Sequence, residues 1–151
     1  MSVSYDMFVS AFIAKITEYK LPAMDIVSRT ETVDSYMHFA MSNSNFKKVC
    51  PYAFAVNSNN QDRVFNIDIP EDILMEITDI VSEGMIVQWL KPYMYSQELL
   101  ENVLNIKDFS VYSPEKLLSR INTIYKDAQK NYLNMIREYS FNHGDLTDLH
   151  L

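Results

Sequence analysis

Three pairs of carboxylates stand at spacings that could build a general acid–base site, in which one carboxyl group donates a proton and the other accepts one. The members of each pair are adjacent or three positions apart, and the pairs are Glu71/Asp72, Glu76/Asp79 and Asp145/Asp148. The first two pairs fall in a segment with helical periodicity and the third in a tail. We therefore interpret all three as solvated side chains on helix faces and at chain ends.

Metal binding and nucleophilic catalysis require side chains that the sequence does not group together. The three histidines, His38, His143 and His150, are far apart, and Cys50 is the single cysteine. No serine lies in a Gly-x-Ser-x-Gly motif, and the two glycines leave no phosphate-cradling loop. We predict a non-enzymatic protein with no catalytic residue, no metal and no cofactor. The alternative is an enzyme whose site is assembled from scattered residues, which a deep pocket with converging polar groups would favour.

The charge balance argues against direct binding to nucleic acid. The chain has 13 Lys and Arg against 20 Asp and Glu, a formal net charge of −7, and its nearest approach to a basic cluster is Lys47-Lys48. Gripping a duplex requires clustered cations that replace counterions on the phosphates. We also expect no membrane association, because no apolar run approaches the roughly 20 residues that span a bilayer. Residues 1–6 lack the layout of a signal peptide, so we expect synthesis and retention in the cytoplasm unless the protein leaves within a particle.

Apolar residues recur at helical spacing through most of the chain, which predicts a mainly α fold. Capping residues, prolines and an Asn-His-Gly stop signal place the helices at about 5–19, 28–41, 70–91, 96–104 and 113–142. Gly84 lies inside the third of these and costs about 1 kcal/mol there relative to alanine. We expect another helix to approach closely at Gly84, with a kink as the alternative. Residues 42–62, rich in turn formers, are interpreted as a connector.

Two short segments alternate between apolar and polar residues and could pair as a small two-stranded β-ribbon. They are Val64–Asp68 and Phe109–Tyr112. The predicted architecture is therefore a single-domain bundle of about five helices over residues 1–138, with this optional ribbon and an extended C-terminal tail over residues 139–151.

The tail retains apolar side chains beyond the last predicted helix, whereas a purely disordered tail would be more polar. They are Tyr139, Phe141, Leu146, Leu149 and Leu151. One interpretation is that these residues fold back on their own domain. The functional interpretation is an arm that docks on a neighbouring subunit.

Three blocks of residues carry a resemblance. They are residues 84–92, which end in Trp-Leu-Lys-Pro, residues 107–113, which contain Asp-Phe-Ser-Val-Tyr-Ser, and residues 137–146, which end in Gly-Asp-Leu. In this order, together with Phe-Lys-Lys-Val-Cys at 46–50, they resemble the head-to-tail connector proteins of tailed bacteriophages that infect Gram-positive hosts. The resemblance covers roughly residues 40 to 150.

The resemblance implies a neck protein of the adaptor type. Such adaptors are helical and form a ring, commonly of twelve copies, between the portal protein and a downstream neck, stopper or tail protein. DNA passes through the ring without specific binding, and a C-terminal segment, here residues 139–151, grips the portal. The implied location is the neck of the virion, after synthesis in the host cytoplasm. The alternative function is a phage-encoded acidic binding module that modulates a host protein and is absent from purified virions.

Overall fold

The computed structural model describes residues 2–19, 30–95 and 114–143. Within these ranges the chain forms five helices and three two-residue strands, which confirms the mainly α prediction. In chain order the elements are β1 (Val3–Ser4), α1 (Tyr5–Tyr19), α2 (Thr30–Met41), α3 (Ser44–Val49), β2 (Ser58–Asn59), β3 (Val64–Phe65), α4 (Glu71–Tyr95) and α5 (Pro114–His143).

Helix α1 follows from the spacing of its large apolar side chains. Those that repeat every three or four positions are at most 1% exposed: Tyr5, Phe8, Phe12 and Ile16. Because residues at this spacing share one helix face, one buried stripe fixes the helix on the core. The predicted bounds agree with the observed ones. Helix α2 likewise buries one side, which includes Val33, Met37 and Ala40.

Helix α4 is the central element, and α1, α2 and α5 all pack against it. Its residues from Ile80 to Ile86 are buried on every side, including the polar Ser82 and Glu83. A Cβ added at Gly84 would lie 2.5 Å from Cε2 of Tyr132 in α5 and 2.9 Å from Cβ of Ala40 in α2. The close helix approach expected at Gly84 is thereby confirmed, and three helices meet there.

The predicted end of α4 at Lys91-Pro92 is wrong, because the helix continues through Pro92 to Tyr95. Proline removes one intrahelical hydrogen bond and crowds the preceding turn, which is why it was interpreted as a stop. Here Pro92 lies in the last turn of a 25-residue helix. Tyr93 and Met94 beyond it are partly buried against the core, and their packing holds the final turn in helical conformation.

The predicted connector at 42–62 contains a helix that the sequence pattern did not reveal. Asn43 was interpreted as a turn former, but its side-chain Oδ1 accepts hydrogen bonds from the backbone N–H groups of Asn45 and Phe46, at 2.9 and 3.3 Å. Asparagine in this position is an N-cap, which favours a helix start. Phe46, 2% exposed, then anchors α3 to the core.

The strand predicted at Val64–Asp68 is confirmed over Val64–Phe65 only, and it lies at the centre of a three-stranded antiparallel sheet in the order β1-β3-β2. Phe65 is opposite Val3 on one side and Ser58 on the other. The ribbon partner predicted at Phe109–Tyr112 lies outside the described residues, as do the predicted helix at 96–104 and the predicted start of the second helix at residue 28.

Helix α5 has 30 residues and ends at His143, within the predicted Asn-His-Gly stop signal. It therefore continues past the predicted domain boundary at residue 138. Its buried stripe includes Ile121, Ala128, Tyr132, Ile136 and Tyr139. No helix in the described part of the chain is long and apolar enough to cross a membrane.

Candidate docking site at the end of the last helix

The structure separates the two described residues that were predicted to contact a neighbour. Tyr139 is 3% exposed and belongs to the core, so it is not part of a free arm. The reason is that the helical repeat of α5 continues for one more turn than the predicted boundary allowed. Phe141, by contrast, is 74% exposed. Leu146, Leu149 and Leu151 lie outside the described residues.

The end of α5 is attached to α4 by side chains. Nε2 of His143 donates a hydrogen bond to Oε2 of Glu76 at 2.7 Å. The imidazole ring also packs on Tyr139, with ring centroids 4.6 Å apart. Burial raises the pKa of Tyr139 to about 12. The chain beyond residue 143 therefore leaves from a position that is fixed relative to the central helix.

A groove of about 340 Å³ lies beside Phe141, between α3 and α5. Its apolar part comes from Val49, Leu133 and Ile136, and Lys48 and Arg137 contribute cations. Asn45 and Ser140 complete the lining with Phe141, and no carboxylate is among these residues. For a chain of net charge −7, this is a locally basic and apolar surface. Such a surface can bind a segment that combines acidic and aliphatic side chains.

The two walls of this groove are held in place by contacts near the Gly84 crossing. The hydroxyl of Tyr132 in α5 donates a buried hydrogen bond to the backbone carbonyl of Ala40 in α2. Burial raises the pKa of Tyr132, so the phenol remains a donor. Only Ser42 and Asn43 separate α2 from α3. Positioning α2 against α5 therefore also positions α3.

A second cleft of about 510 Å³ lies between the end of α2, α3 and the chain that follows. Its polar groups are engaged within the fold. His38 contacts Oδ1 of Asn60 at 3.2 Å and packs edge-on against Tyr5. Burial raises the pKa of the Cys50 thiol, and its Sγ contacts the Tyr52 carbonyl at 4.0 Å. This cleft pairs no base with the thiol, which is therefore a poor nucleophile.

Two charge clusters elsewhere serve as cross-links between elements. Arg63, held at φ 55°, donates to both carboxylate oxygens of Asp34 at 2.8 Å and to Asp6 at 2.7 Å. In the other cluster, Lys15 lies 3.0 Å from Oε2 of Glu83, which is 7% exposed. Asn131 donates to the second oxygen of Glu83 at 3.3 Å, so α1, α4 and α5 are joined. Among the described residues, no group of three His, Cys, Asp or Glu side chains could hold a metal ion.

The groove between α3 and α5 was not predicted from the sequence. Lys48 was noticed only as half of a basic pair too short to bind DNA, and Arg137 only as the first residue of the block at 137–146. The two residues are brought together by the packing of α3 against α5, and α3 itself was not predicted. The available signal was Asn43, whose N-capping potential would have placed Lys48 on a helix.

The fold and this site define a mainly helical domain that presents a basic, apolar groove and an exposed aromatic side chain at one end. No protein-family model, no curated protein and no solved structure matches the chain.

Proposed function

We propose that this chain is a structural virion protein of a tailed bacteriophage, an adaptor that forms a ring in the neck between the portal and the next neck or tail protein. The proposal starts from the three residue blocks that resemble connector proteins. The block at 84–92 lies in α4, and residues 137–143 of the last block lie in α5. The block at 107–113 lies outside the described residues.

The observation that carries the proposal is the exposure of Phe141 beside the groove. Covering one large apolar side chain is worth about 1.5–3 kcal/mol, and aromatic residues are enriched at protein interfaces. Phe141 is followed within ten positions by Leu146, Leu149 and Leu151. These residues together supply the apolar contact that a ring subunit must make with a neighbour or with the portal.

The net charge of −7 suits the same role. A negatively charged channel wall does not hold the phosphates of a passing duplex, whereas a basic wall would attract them. DNA would therefore move past such a ring without specific binding.

The test is an inventory of purified particles from the phage that encodes the chain, combined with a truncation. We expect mass spectrometry to find the full chain in virions in ring stoichiometry. A chain ending at Gly144 keeps the His143–Glu76 contact, so it should fold but fail to incorporate. The matched control is Leu118→Ser, which changes another exposed apolar residue of α5 (42% exposed) and should incorporate normally.

One outcome would contradict the role of the arm, and another would contradict the function itself. Normal incorporation of the truncated chain would show that the arm has no role in assembly. Absence of the full chain from purified virions would remove the structural role altogether and would favour the acidic module that modulates a host protein.

A further inference from the structure

We infer that the groove between α3 and α5 receives residues 144–151 of a second copy of this chain, so that each subunit holds the next by an arm in a groove. This inference rests on the proposed function, because a ring requires a contact in which two different surfaces of the same subunit meet. The arm supplies one of those surfaces, and the groove supplies the other.

The chemistry of the two surfaces is complementary. The groove combines the cations of Lys48 and Arg137 with an apolar lining and includes no carboxylate. The arm contains two Asp-Leu pairs, 145–146 and 148–149, and then Leu151. Each pair offers one carboxylate to a cation and one aliphatic side chain to the apolar lining. The arm contains no Lys or Arg that would repel the groove.

Because the groove cations are exposed, charged contacts and apolar contacts contribute differently to the affinity for the arm. Lys48 and Arg137 are both exposed, so salt screens their attraction to the arm. The leucines then provide most of the affinity, and the charges select the arm over other apolar segments and speed association. A groove of reversed charge would instead repel the aspartates of the arm and oppose binding. Phe141 lies at the edge of the same groove, where a bound arm would cover part of its exposed ring.

The length of the arm is sufficient for exchange between copies. Eight residues follow His143, and an extended chain of that length spans at most about 26–29 Å. This is about twice the radius of gyration of a domain of roughly 120 residues. An arm that leaves from the fixed end of α5 can therefore reach the groove of a subunit in contact with its own.

The experiment mixes two variants that each lack one half of the contact. The first variant ends at Gly144, so it has a groove and no arm. The second is the full chain with Lys48→Glu and Arg137→Glu, so it has an arm and a reversed groove; both substitutions are at exposed positions. We expect each variant alone to sediment as a monomer and the mixture to form a 1:1 complex that does not grow further.

Two additional variants separate the arm–groove contact from a general change in the protein. Adding Leu149→Ser to the second variant should weaken the complex at least tenfold, whereas adding Leu118→Ser should leave it unchanged. Charge complementation is the sharper check. Replacing Asp145 and Asp148 by Lys in the reversed-groove chain should restore self-association, because both surfaces have then exchanged their charges.

The inference is overturned if the mixture stays monomeric at millimolar concentration while both variants retain the circular dichroism of the full chain. It is also overturned if the unmodified chain stays monomeric with its arm protected from proteolysis, since the arm would then occupy its own groove. Neither result bears on the presence of the chain in virions. Failure of the arm–groove contact and failure of the proposed function are therefore distinguishable.

Discussion

Helix α5 contributes both to the crossing around Gly84 and to the candidate docking site at its own end. Its side chain at the crossing is buried, whereas Phe141 at the end is exposed. At the crossing, Tyr132 fills the space that a Cβ on Gly84 would need, and its hydroxyl is bonded to the Ala40 carbonyl. At the end of α5, Phe141 is 74% exposed beside a groove of about 340 Å³. The contacts at the crossing stabilise the fold, whereas the end of α5 leaves apolar surface that a partner can cover. Substitutions in the two regions should therefore separate stability from assembly.

The largest effect on stability is expected from Gly84→Ala. The added methyl group would lie 2.5 Å from Cε2 of Tyr132, so two helices must move apart, and overpacking of this kind costs about 1–3 kcal/mol. Alanine regains about 1 kcal/mol of helix propensity. However, Cβ of Ala40 is fixed by its backbone, so it cannot move away from the new methyl group unless α2 moves. We expect a net loss of about 1–2 kcal/mol in urea unfolding.

The matched control for this substitution is Ser119→Ala on the exposed side of α5, where the change should stay within about 0.5 kcal/mol. If Gly84→Ala were as stable as the unmodified chain, the crossing would have room that the structure does not show, and the contrast between the two regions would be lost.

A second prediction concerns alkaline pH and shows how close the core comes to the end of α5. Burial raises the pKa of Tyr139 from 10.0 to about 12. Below pH 10 the folded and unfolded chains both hold the phenol proton, so the stability contribution is fully present. Between pH 10 and 12 the unfolded chain releases this proton and the folded chain keeps it. Stability should therefore fall as pH rises, by an amount on the order of 2 kcal/mol for this residue.

The measurement is urea unfolding at pH 9 and pH 11.5 for the unmodified chain and for Tyr139→Phe. The variant should lose less stability over this interval, because phenylalanine releases no proton. An equal loss of stability in both proteins would mean that the Tyr139 side chain is exposed to solvent, and Tyr139 would then be assigned to the C-terminal arm.

Tyr132→Phe is expected to have a smaller effect at neutral pH. It keeps the aromatic ring against Gly84 but removes the hydrogen bond to the Ala40 carbonyl. A typical bond of this kind contributes about 0.5–1.5 kcal/mol. We expect a loss of about 1 kcal/mol in urea unfolding with little change in its denaturant slope. A larger loss with an altered slope would indicate that the whole α2–α5 contact depends on this one bond.

The smallest effect on stability and the largest on assembly are expected from Phe141→Ser. Because the ring is 74% exposed, its removal should change the free energy of unfolding by less than about 0.5 kcal/mol. Incorporation into virions should nevertheless decrease. A loss of stability above 1 kcal/mol would show that Phe141 belongs to the fold, and the comparison between the two regions would have to be redrawn.

The parts of the fold that were predictable from sequence are those with a long local repeat. The bounds of α1, the burial in α4 and the end of α5 all follow from apolar spacing and stop signals within one segment. The misassigned parts depend on tertiary contacts. Asn43 favours a turn or a helix start according to what Phe46 packs against, and Pro92 ends a helix only when nothing holds the next turn.

The candidate site was predictable to a lesser extent. The apolar character of residues 139–151 is visible in the sequence, and helical spacing also places Tyr139, seven positions after Tyr132, on the buried stripe and Phe141 off it. The error was to begin the tail at residue 139 although the helix was expected to run to 142. The groove was not predictable, since Lys48 and Arg137 come from elements that are distant in the chain.

The attachment of His143 to Glu76 determines how α5 would respond to mechanical force. A pull on residue 144 would otherwise unwind the last helical turn one residue at a time. The imidazole of His143 is hydrogen-bonded to Glu76 in α4 at 2.7 Å and packs on the buried Tyr139. Part of such a pull is therefore transmitted to α4, a helix of 25 residues. Unwinding the last turn of α5 therefore requires the His143–Glu76 contact to break first.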